Sequence, residues 1–349
     1  MKPGVSIVVS CYNSENLIEK TLEYLAKSEI PGDFPVELLI IDNASADNTV
    51  QLSKSLWKKF GEPFPARFIN EQQPGLRHVR ERGFGESKYD YVVFVDHDNW
   101  LDKDYIKNVF EIFSDHPDAG AIGGKNIAVF ETEKPQWFDR FQHWYAVGEL
   151  PNINGITAYT ELFGAGLSVR KSVYETLRAN GFESFLTERK GESLSSGGDY
   201  ELCKAVKIAG WEVMYFPQLQ LRHFMTKERL NWSYFLKLNK GESLSLIYLL
   251  AYQYRIEKDG KSSGLITDLK YSWIILLAKS FTKFIFLKIK TVFNPHSKKE
   301  GSKVIIDLDR NKILFEKLIK NRRKFLNLKK SIGLAKWRQL KLNHPLQTV

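Results

Sequence analysis

The sequence YVVFVDHDNW, at Tyr91–Trp100, predicts a buried strand that ends in two carboxylates. Tyr91–Val95 is a run of β-branched and aromatic residues, which is the composition of a strand covered on both faces. Asp96 and Asp98 follow at once, and their like charges repel each other unless a cation neutralises them. Carboxylate oxygens suit a hard divalent ion, so Mg²⁺ or Mn²⁺ is the predicted cofactor. The carboxyl end of a strand is also where open α/β sheets bind their ligands.

Strands and helices alternate along the chain on both sides of this stretch. Further apolar runs predict strands at Val5–Val9, Val36–Ile41, Ala66–Ile69, Ala119–Ile122, Val213–Phe216 and Gln220–His223. Apolar residues at helical spacing predict helices at Glu15–Ser28, Thr49–Phe60, Leu76–Glu86, Asp102–Phe113, Ser172–Ala179 and Tyr200–Ile208. Short links between alternating elements are typical of βαβ units. The sequence therefore predicts an α/β fold with a mostly parallel, twisted, Rossmann-like sheet flanked by helices.

The overall composition is that of a globular protein with one large domain and an appendage. The chain has 349 residues, of which 43% are hydrophobic, so it can form a sizeable core. Cys11 and Cys203 lie in apolar patterns, which indicates reduced core residues rather than a disulfide. Val5–Val9 is too short to be the apolar segment of a signal peptide. These features predict a cytoplasmic protein.

The net charge of +10 is unevenly distributed along the chain. From Lys258 to Val349 there are 22 Lys and Arg against 6 Asp and Glu, a net charge of +16. The preceding residues carry 29 Lys and Arg against 35 Asp and Glu, a net charge of −6. A strongly basic tail favours an anionic partner, either nucleic acid or a membrane surface. The sequence contains no nucleic-acid recognition module, so we expect no nucleic-acid partner.

A basic amphipathic helix is predicted within this tail, at Tyr271–Phe293. Lys279, Lys283 and Lys290 fall on one stripe with apolar residues opposite, as in helices that lie in the membrane interface. The longest charge-free run, Tyr271–Ala278, is much shorter than the ~20 apolar residues that span a bilayer. Two alternatives stay open. The helix contacts the inner face of the cell membrane peripherally, or it packs on the body of the protein with its basic side in water.

Polar residues follow three of the predicted strands in the first part of the chain, at Asn13, Asp42 and Asp96. Because parallel strands present their carboxyl ends at one edge of a sheet, we expect these residues to line one cleft. There, Asp42 can accept a hydrogen bond from a nucleobase N–H or from a ribose. His223 ends a later strand and can add an imidazole nitrogen to a metal site with Asp96 and Asp98. A purely structural histidine is the alternative.

Five segments of the chain, taken in order, resemble motifs of glycosyltransferase family 2, whose members are inverting enzymes of the GT-A fold. They are VSIVVSCYN at Val5–Asn13, IIDNASADNT at Ile40–Thr49, GLRHVRERG at Gly75–Gly83, VDHD at Val95–Asp98 and GGDYELCKAVKIAGWEVMYFP at Gly197–Pro217. Each motif is weak alone, but the five keep the family's order and spacing over residues 4–225. The departures from the family pattern are Ser10-Cys11 for Pro-Thr, Glu81 for Asn, and Gly198 for the Glu before the catalytic Asp.

The resemblance implies roles for particular residues. The donor is expected to bind Tyr12, Asn13, Asp42, Arg80 and Asp96. The metal is expected to bind Asp96, Asp98 and His223. The acceptor hydroxyl has a pKa far above neutral and needs a positioned base. Asp199, at a helix start after the Ser/Gly loop Ser193–Gly198, is the predicted base; a helix N-cap is its alternative role. Glu201 is its competitor and should point elsewhere, because it lies two positions further along the helix.

The resemblance also implies a domain organisation and a function. Residues 1–225 would form the GT-A catalytic domain, with a nucleotide-sugar half at about 1–125 and an acceptor half at about 126–225. Residues 226–349 would form a basic, mostly helical region. The expected activity is inverting transfer of a sugar from a nucleotide-sugar donor to a saccharide or lipid-linked acceptor, in bacterial cell-surface polysaccharide synthesis. The alternatives are a nucleotidyltransferase with a metal-bound nucleotide and a degenerate, non-catalytic sugar-binding protein.

Overall fold

A mostly parallel sheet forms the centre of the protein, and it has ten strands in the described part of the chain. The computed structural model describes residues 2–32, 34–153, 155–157, 160–186, 196–260, 264–294, 297 and 299–343. The strands are β1 (Lys2–Cys11), β2 (Val36–Asp42), β3 (Ala66–Asn70), β4 (Tyr89–Asp96), β5 (Asn99–Leu101), β6 (Ala119–Phe130), β7 (Asn152–Ile153), β8 (Ile156–Thr157), β9 (Ser168–Arg170) and β10 (Glu212–Met225). Their order is β3-β2-β1-β4-β9-β6-β10-β8-β7, and β5 pairs with β10.

The strand directions confirm the predicted α/β sheet. β3, β2, β1 and β4 are parallel neighbours, and β6 is parallel to β10. The short strand β9 is antiparallel to both β4 and β6, so it joins the two parallel groups. All seven residues of β2 are buried, as expected for a strand with helices on both faces of its sheet.

One strand prediction is wrong in detail. Val213–Phe216 and Gln220–His223 are parts of one strand, β10, rather than two. Its register with β6 shifts between Tyr215 and Gln220, and Pro217 lies in that interval. Proline has no N–H to donate to a neighbouring strand, so the ladder is interrupted there. The sequence pattern therefore shows two apolar runs where the structure has one irregular strand.

The described residues form thirteen α-helices, and those that the sequence predicts lie close to their predicted positions. The thirteen are α1 (Ile18–Ala26), α2 (Thr49–Lys59), α3 (Leu76–Glu86), α4 (Tyr105–Asp115), α5 (Phe138–Phe141), α6 (Lys171–Ala179), α7 (Gly198–Ile208), α8 (Trp232–Asp259), α9 (Gly264–Lys270), α10 (Trp273–Phe293), α11 (Lys303–Lys320), α12 (Arg322–Gly333) and α13 (Leu340–Asn343). α1 and α4 begin three residues later than predicted, at Ile18 and Tyr105.

Two apolar cores lie on opposite faces of the sheet, because successive residues of a strand point to opposite sides. On one side, Ile7 and Val9 of β1 pack with residues of α1, α2 and α4. On the other, Val8 packs with residues of α3, α6 and α7. Cys11 and Cys203 are buried and unpaired, as predicted.

The C-terminal helices α11 and α12 complete the second core. Leu318 and Phe325 are fully buried in the same cluster as Val8, Phe84 and Val173. The expected domain boundary after residue 225 is therefore crossed by a shared core, and it stays a sequence-based prediction. For these two helices the packing supports the second alternative, in which the basic tail rests on the catalytic body.

The outer side of α10 is apolar and exposed. Its exposed large apolar residues are Ile274, Phe281, Phe286, Ile289, Val292 and Phe293. Its opposite side packs mainly on α11, where Ser280, Leu287 and Thr291 are buried. None of the helices in the ranges that the structure describes combines the length and apolar character needed to cross a bilayer.

Candidate active site

The loops after β1, β2 and β4 meet at one edge of the sheet. In the strand register Cys11 lies beside Asp42, and Ser10 lies beside Asp96. The carboxylates of the two strands that flank β1 are thereby brought to the same edge, as parallel topology requires. Asp96 is fixed there by the hydroxyl of Ser10, which donates a hydrogen bond of 2.7 Å to Oδ1.

A cavity of about 610 Å³ opens at this edge. Six of the predicted site residues line it, namely Tyr12, Arg80, Asp96, Asp98, Asp199 and His223. Asn13 and Asp42 are not among the lining residues. The Asn13 side chain instead accepts a hydrogen bond from the Ala46 N–H (2.9 Å), and its backbone has a φ of 49°. Asn13 therefore holds the β1 loop against the loop that follows β2.

Asp42 is buried and only partly satisfied. Its Oδ2 accepts a hydrogen bond from the Ser45 N–H (3.3 Å), whereas its Oδ1 is buried without a hydrogen-bond partner. Buried carboxylate oxygens without partners are rare in folded proteins, because their desolvation is not offset. The Oδ1 atom of Asp42 is therefore a buried acceptor with no donor among the described residues.

Asp98 lies among basic side chains. The Arg229 guanidinium donates to Oδ2 (Nη1–Oδ2 2.6 Å), and the Asn99 amide donates to Oδ1 (3.0 Å). His223 Nε2 is 3.5 Å from Oδ1. Burial raises the pKa of Asp98, but the nearby His223 and Arg229 outweigh it and hold the pKa well below its usual range. The ionised form of Asp98 is therefore strongly favoured over the protonated form.

The side chains at this edge are of the types that bind a divalent metal, but they do not form a complete set of metal ligands. Asp98 and His223 bring an oxygen and a nitrogen ligand together, and Asp96 lies at the same cavity. Across the described residues, however, no three His, Cys, Asp or Glu side chains are grouped as a metal site. The positive charge that faces Asp98 is the Arg229 guanidinium. The metal assignment of Asp96, Asp98 and His223 stays a prediction.

Asp199 lies in the first turn of α7, on another side of the cavity. Its Oδ1 accepts a hydrogen bond from the Tyr200 N–H (2.9 Å). Burial raises the pKa of Asp199, and the positive charge of Arg80 offsets part of that rise. Residues 193–195 of the predicted Ser/Gly loop lie outside the described residues, and Gly197 takes a φ of 111° just before the helix.

Gly164 explains how Asp199 and Arg80 come together. A Cβ at this position would lie 2.8 Å from Asp199 Oδ2 and 3.1 Å from Arg80 Nη2. Both distances are shorter than ordinary carbon contacts. A side chain at position 164 would therefore force the carboxylate of α7 and the guanidinium of α3 to shift away from this point of the cavity wall.

Glu201 points away from the cavity, as predicted. Its carboxylate accepts hydrogen bonds from the N–H groups of Phe185 (2.9 Å) and Leu186 (3.2 Å) and from the Tyr252 hydroxyl (2.9 Å). Glu201 thus anchors the segment that leads into residues 187–195, which lie outside the described ranges. Of the two carboxylates in this turn of α7, only Asp199 lines the cavity.

Arg229 and Trp144 are among the cavity residues that were not predicted from the sequence. Arg229 lies in a basic turn after β10, where nothing distinguishes it from the neighbouring Lys227. Trp144 lies in an aromatic-rich segment that looks like ordinary core. Its indole Nε1 is buried without a hydrogen-bond partner.

Comparison with known proteins gives matches along much of the chain. Residues 6–176 match the family model described as Glycosyl transferase family 2. The glucosyl-dolichyl phosphate glucuronosyltransferase of Haloferax volcanii is 22% identical over 262 residues, which are 73% of this chain and 80% of that protein. The poly-beta-1,6-N-acetyl-D-glucosamine synthase of Staphylococcus epidermidis is 28% identical over 121 residues, which are 35% of this chain and 28% of the synthase. Several relatives are matched over only 25% to 32% of their own length.

Two solved structures share the architecture. S. aureus TarS 1–349 in complex with UDP has 16% identity and a TM-score of 0.51, covering 98% of this chain and 91% of that chain. The mannosyltransferase PcManGT from Pyrobaculum calidifontis, in complex with GDP-Man and Mn²⁺, has 15% identity and a TM-score of 0.55. It covers 92% of this chain and 88% of its own. At these identities the likeness concerns the fold alone.

Proposed function

Because residues 6–176 belong to glycosyl transferase family 2, and the sheet has the GT-A fold, we propose that the protein is an inverting glycosyltransferase. It transfers a sugar from a nucleotide-sugar donor to a hydroxyl of a saccharide or lipid-linked acceptor. One observation carries the proposal. A single cavity contains a half-buried carboxylate of raised pKa, Asp199, and a separate carboxylate pair, Asp96 and Asp98.

The nucleotide end of the donor binds near β1 and β2. The unpartnered Oδ1 of Asp42 accepts a hydrogen bond from the base or the ribose. Tyr12 is half exposed at the cavity and gives an aromatic surface for the base. Asn13 acts indirectly, since it fixes the loop that carries Tyr12. A nucleotide-sugar donor is supported by the UDP bound to TarS and by the GDP-Man bound to PcManGT.

The diphosphate lies over Asp96, Asp98 and Arg80. Asp98 and His223, with Asp96 beside them, would hold Mg²⁺ or Mn²⁺, and the Mn²⁺ bound to PcManGT supports a divalent ion. A bound ion of this kind supplies Lewis-acid stabilisation of the leaving diphosphate. Arg80 adds a fixed positive charge at the cavity wall, next to Gly164. The chain's own role here is to orient the donor and to balance its negative charge.

Asp199 is the general base. Its raised pKa makes it a stronger proton acceptor than an ordinary Asp. It takes the proton from the acceptor hydroxyl as the oxygen attacks the anomeric carbon, and the bond to the diphosphate breaks. One direct displacement inverts the anomeric configuration. Arg80, beside Asp199, stabilises the ionised base before the acceptor arrives.

The acceptor binds between Asp199 and the aromatic wall. Trp144 and Tyr145 line the cavity, and sugars stack on aromatic faces with their C–H groups. The unpartnered Trp144 N–H is free to donate to an acceptor hydroxyl. A saccharide acceptor fits this wall, and the polysaccharide synthase among the relatives supports a role in bacterial cell-surface polysaccharide synthesis. The family match favours this function over the nucleotidyltransferase and the non-catalytic binding protein.

The protein contacts an anionic membrane surface through α9 and α10. Exposed apolar side chains of α9 continue the outer side of α10, and they are Leu265, Ile266 and Leu269. Exposed lysines flank the apolar residues of α10, and they are Lys279, Lys283, Lys288 and Lys290. An apolar surface edged by lysines suits insertion among anionic lipid headgroups.

Binding of nucleotides and of donors tests the proposal directly. Calorimetry with UDP, GDP and their sugar conjugates, with and without Mn²⁺, should identify a donor that binds the wild-type protein. Asp42→Ala should weaken binding of that donor. The matched control is Asp102→Ala, since Asp102 lies outside the cavity and pairs with Arg222. If no nucleotide or nucleotide sugar binds, or if both variants weaken binding equally, the proposed donor site is wrong.

A further inference from the structure

One guanidinium nitrogen contacts two of the three side chains that were predicted to bind a metal, Asp98 and His223. Arg229 Nη1 is 2.6 Å from Asp98 Oδ2 and 3.4 Å from His223 Nε2. A guanidinium has only donors, so it engages a lone pair of the carboxylate oxygen, and it engages a lone pair of the imidazole nitrogen in the His223 tautomer that carries its proton on Nδ1. A divalent cation would need the same two lone pairs. The guanidinium and the cation are therefore competitors for one position.

We propose that Arg229 occupies the cation position of the donor site in the ligand-free protein, and that a divalent cation binds Asp98 and His223 only in exchange for it. This inference rests on the proposed function, because it assumes that a metal and a nucleoside diphosphate share the cavity. The exchange keeps Asp98 neutralised throughout. A buried carboxylate left without a counter-charge would strongly destabilise the folded protein.

The displaced guanidinium needs a new anionic partner. Arg229 lines the cavity, and its Nε is already buried without a hydrogen-bond partner, so its donors are not all used in the present position. A diphosphate arriving with the metal offers the acceptor oxygens that a guanidinium prefers. Metal and nucleoside diphosphate therefore bind as a pair. The metal displaces the guanidinium from Asp98, and the diphosphate supplies the anionic partner for the displaced guanidinium. By linkage, binding of either ligand raises the affinity of the protein for the other.

The backbone around Arg229 lets the side chain move by itself. Arg229 lies between β10 and α8, where its N–H donates to the Thr226 carbonyl (2.9 Å) and its carbonyl accepts from the Tyr145 hydroxyl (2.9 Å). These two bonds hold the main chain in place. The long side chain can then rotate from Asp98 to a ligand in the cavity with no change in the turn that carries it.

Mn²⁺ affinity in the absence of any nucleotide is the decisive measurement, and it needs no catalytic activity. Free Mn²⁺ can be followed by electron paramagnetic resonance with wild type, Arg229→Gln and Arg229→Lys. The control is Arg222→Gln, which removes an arginine paired with Asp102 outside the cavity. Loss of a competing unit charge should make Arg229→Gln bind Mn²⁺ at least about tenfold more tightly. Arg229→Lys should lie between it and wild type, and the control should match wild type.

Nucleotide linkage in the wild-type protein gives a second readout, which decides the matter even if Arg229→Gln does not fold. UDP or GDP, whichever binds, should tighten wild-type Mn²⁺ binding by about tenfold or more, and this coupling should shrink in Arg229→Lys. Equal Mn²⁺ affinity of wild type and the Arg229 variants, or wild-type Mn²⁺ binding that ignores the nucleotide, would overturn the exchange. Nucleotide binding without Mn²⁺ linkage would overturn it and leave the proposed function intact. Failure of every nucleotide to bind would instead refute the proposed function.

Discussion

Replacing Asp199 with Asn should separate sugar transfer from donor binding. Asn has nearly the same size, and its side-chain oxygen can keep the hydrogen bond from the Tyr200 N–H (2.9 Å in the native protein). It cannot accept the proton of the acceptor hydroxyl. A positioned base contributes about 10²–10⁴-fold, so kcat should fall by that factor, equivalent to about 3–5 kcal/mol of barrier. Donor Kd should stay within about threefold, because no donor contact is removed.

The same substitution should not destabilise the protein at neutral pH. Burial raises the pKa of Asp199, and Arg80 offsets the rise only in part. A carboxyl whose pKa is higher in the folded state binds more protons when folded. Stability is therefore lost as pH rises from the unfolded to the folded pKa, and the loss is complete above the folded pKa. Each unit of difference corresponds to about 1.4 kcal/mol. Asn removes this loss, so the variant should melt at or above the wild-type Tm at pH 7.

Two pH series complete the assay. Wild-type kcat/KM should fall as pH is lowered through the raised pKa of Asp199, because the base becomes protonated. The difference in Tm between Asp199→Asn and wild type should vanish below about pH 4, the ordinary range of an Asp. Three measurements characterise the variant: circular dichroism gives its Tm, calorimetry gives its donor Kd, and an assay of product formation gives its kcat.

The matched control is Glu201→Gln in the same turn of α7. Gln can no longer satisfy all of the donors that surround Glu201, including the N–H groups of Phe185 and Leu186. It should therefore lower stability by about 1–3 kcal/mol while kcat per folded molecule is kept. Wild-type kcat in Asp199→Asn, together with lost kcat in Glu201→Gln, would refute the assignment. Lost donor binding in Asp199→Asn would move Asp199 to the donor site.

Three further predictions address the donor, the ion pair and the membrane. Asp42→Ala should weaken nucleoside diphosphate binding by about 1.5–3 kcal/mol, and unchanged affinity in calorimetry would exclude Asp42 from the site. Asp98→Asn should lower the free energy of unfolding by about 3–5 kcal/mol at neutral pH, because Arg229 is left buried without its counter-charge. Since the pKa of Asp98 is depressed, its stabilisation is present at neutral pH and is lost only in strong acid, as pH falls through the folded pKa; a denaturation series that shows no loss for Asp98→Asn at pH 7 contradicts the pairing. Charge reversal on α10 should weaken the binding free energy to anionic vesicles by about 1 kcal/mol per charge and so release the protein. Wild-type protein that does not bind such vesicles would rule out the contact. The substitutions are Lys279→Glu, Lys283→Glu and Lys290→Glu.

The sequence predicted the sheet and one edge of the site because both depend on local patterns. The alternation of apolar runs and helical spacing follows from burial on both faces of a parallel sheet. Once the strands are known to be parallel, the end of β2 must lie beside the end of β1, and Cys11 is indeed the partner of Asp42. The same logic brings Ser10 beside Asp96. No distant contact has to be known for these conclusions.

Residues that act through distant contacts could not be found in this way. Arg229 is 131 positions from Asp98 along the chain, and its role depends on how the turn after β10 folds back over β4. Gly164 matters only because Asp199 and Arg80 approach it from two different helices. The sequence indicates a basic residue or a glycine at these places, but it gives no sign of which side chain each one will face.

The core shared between α11, α12 and the sheet has a consequence for biosynthesis. Leu318 and Phe325 are made after all ten described strands, yet they belong to the same buried cluster as Val8 of β1. The nascent catalytic half therefore keeps an unfilled apolar surface until α12 has emerged. Shortened versions that stop after β10 should expose that surface and bind chaperones or aggregate. For the same reason, a protease that removes α11 and α12 should inactivate the enzyme without touching the cavity.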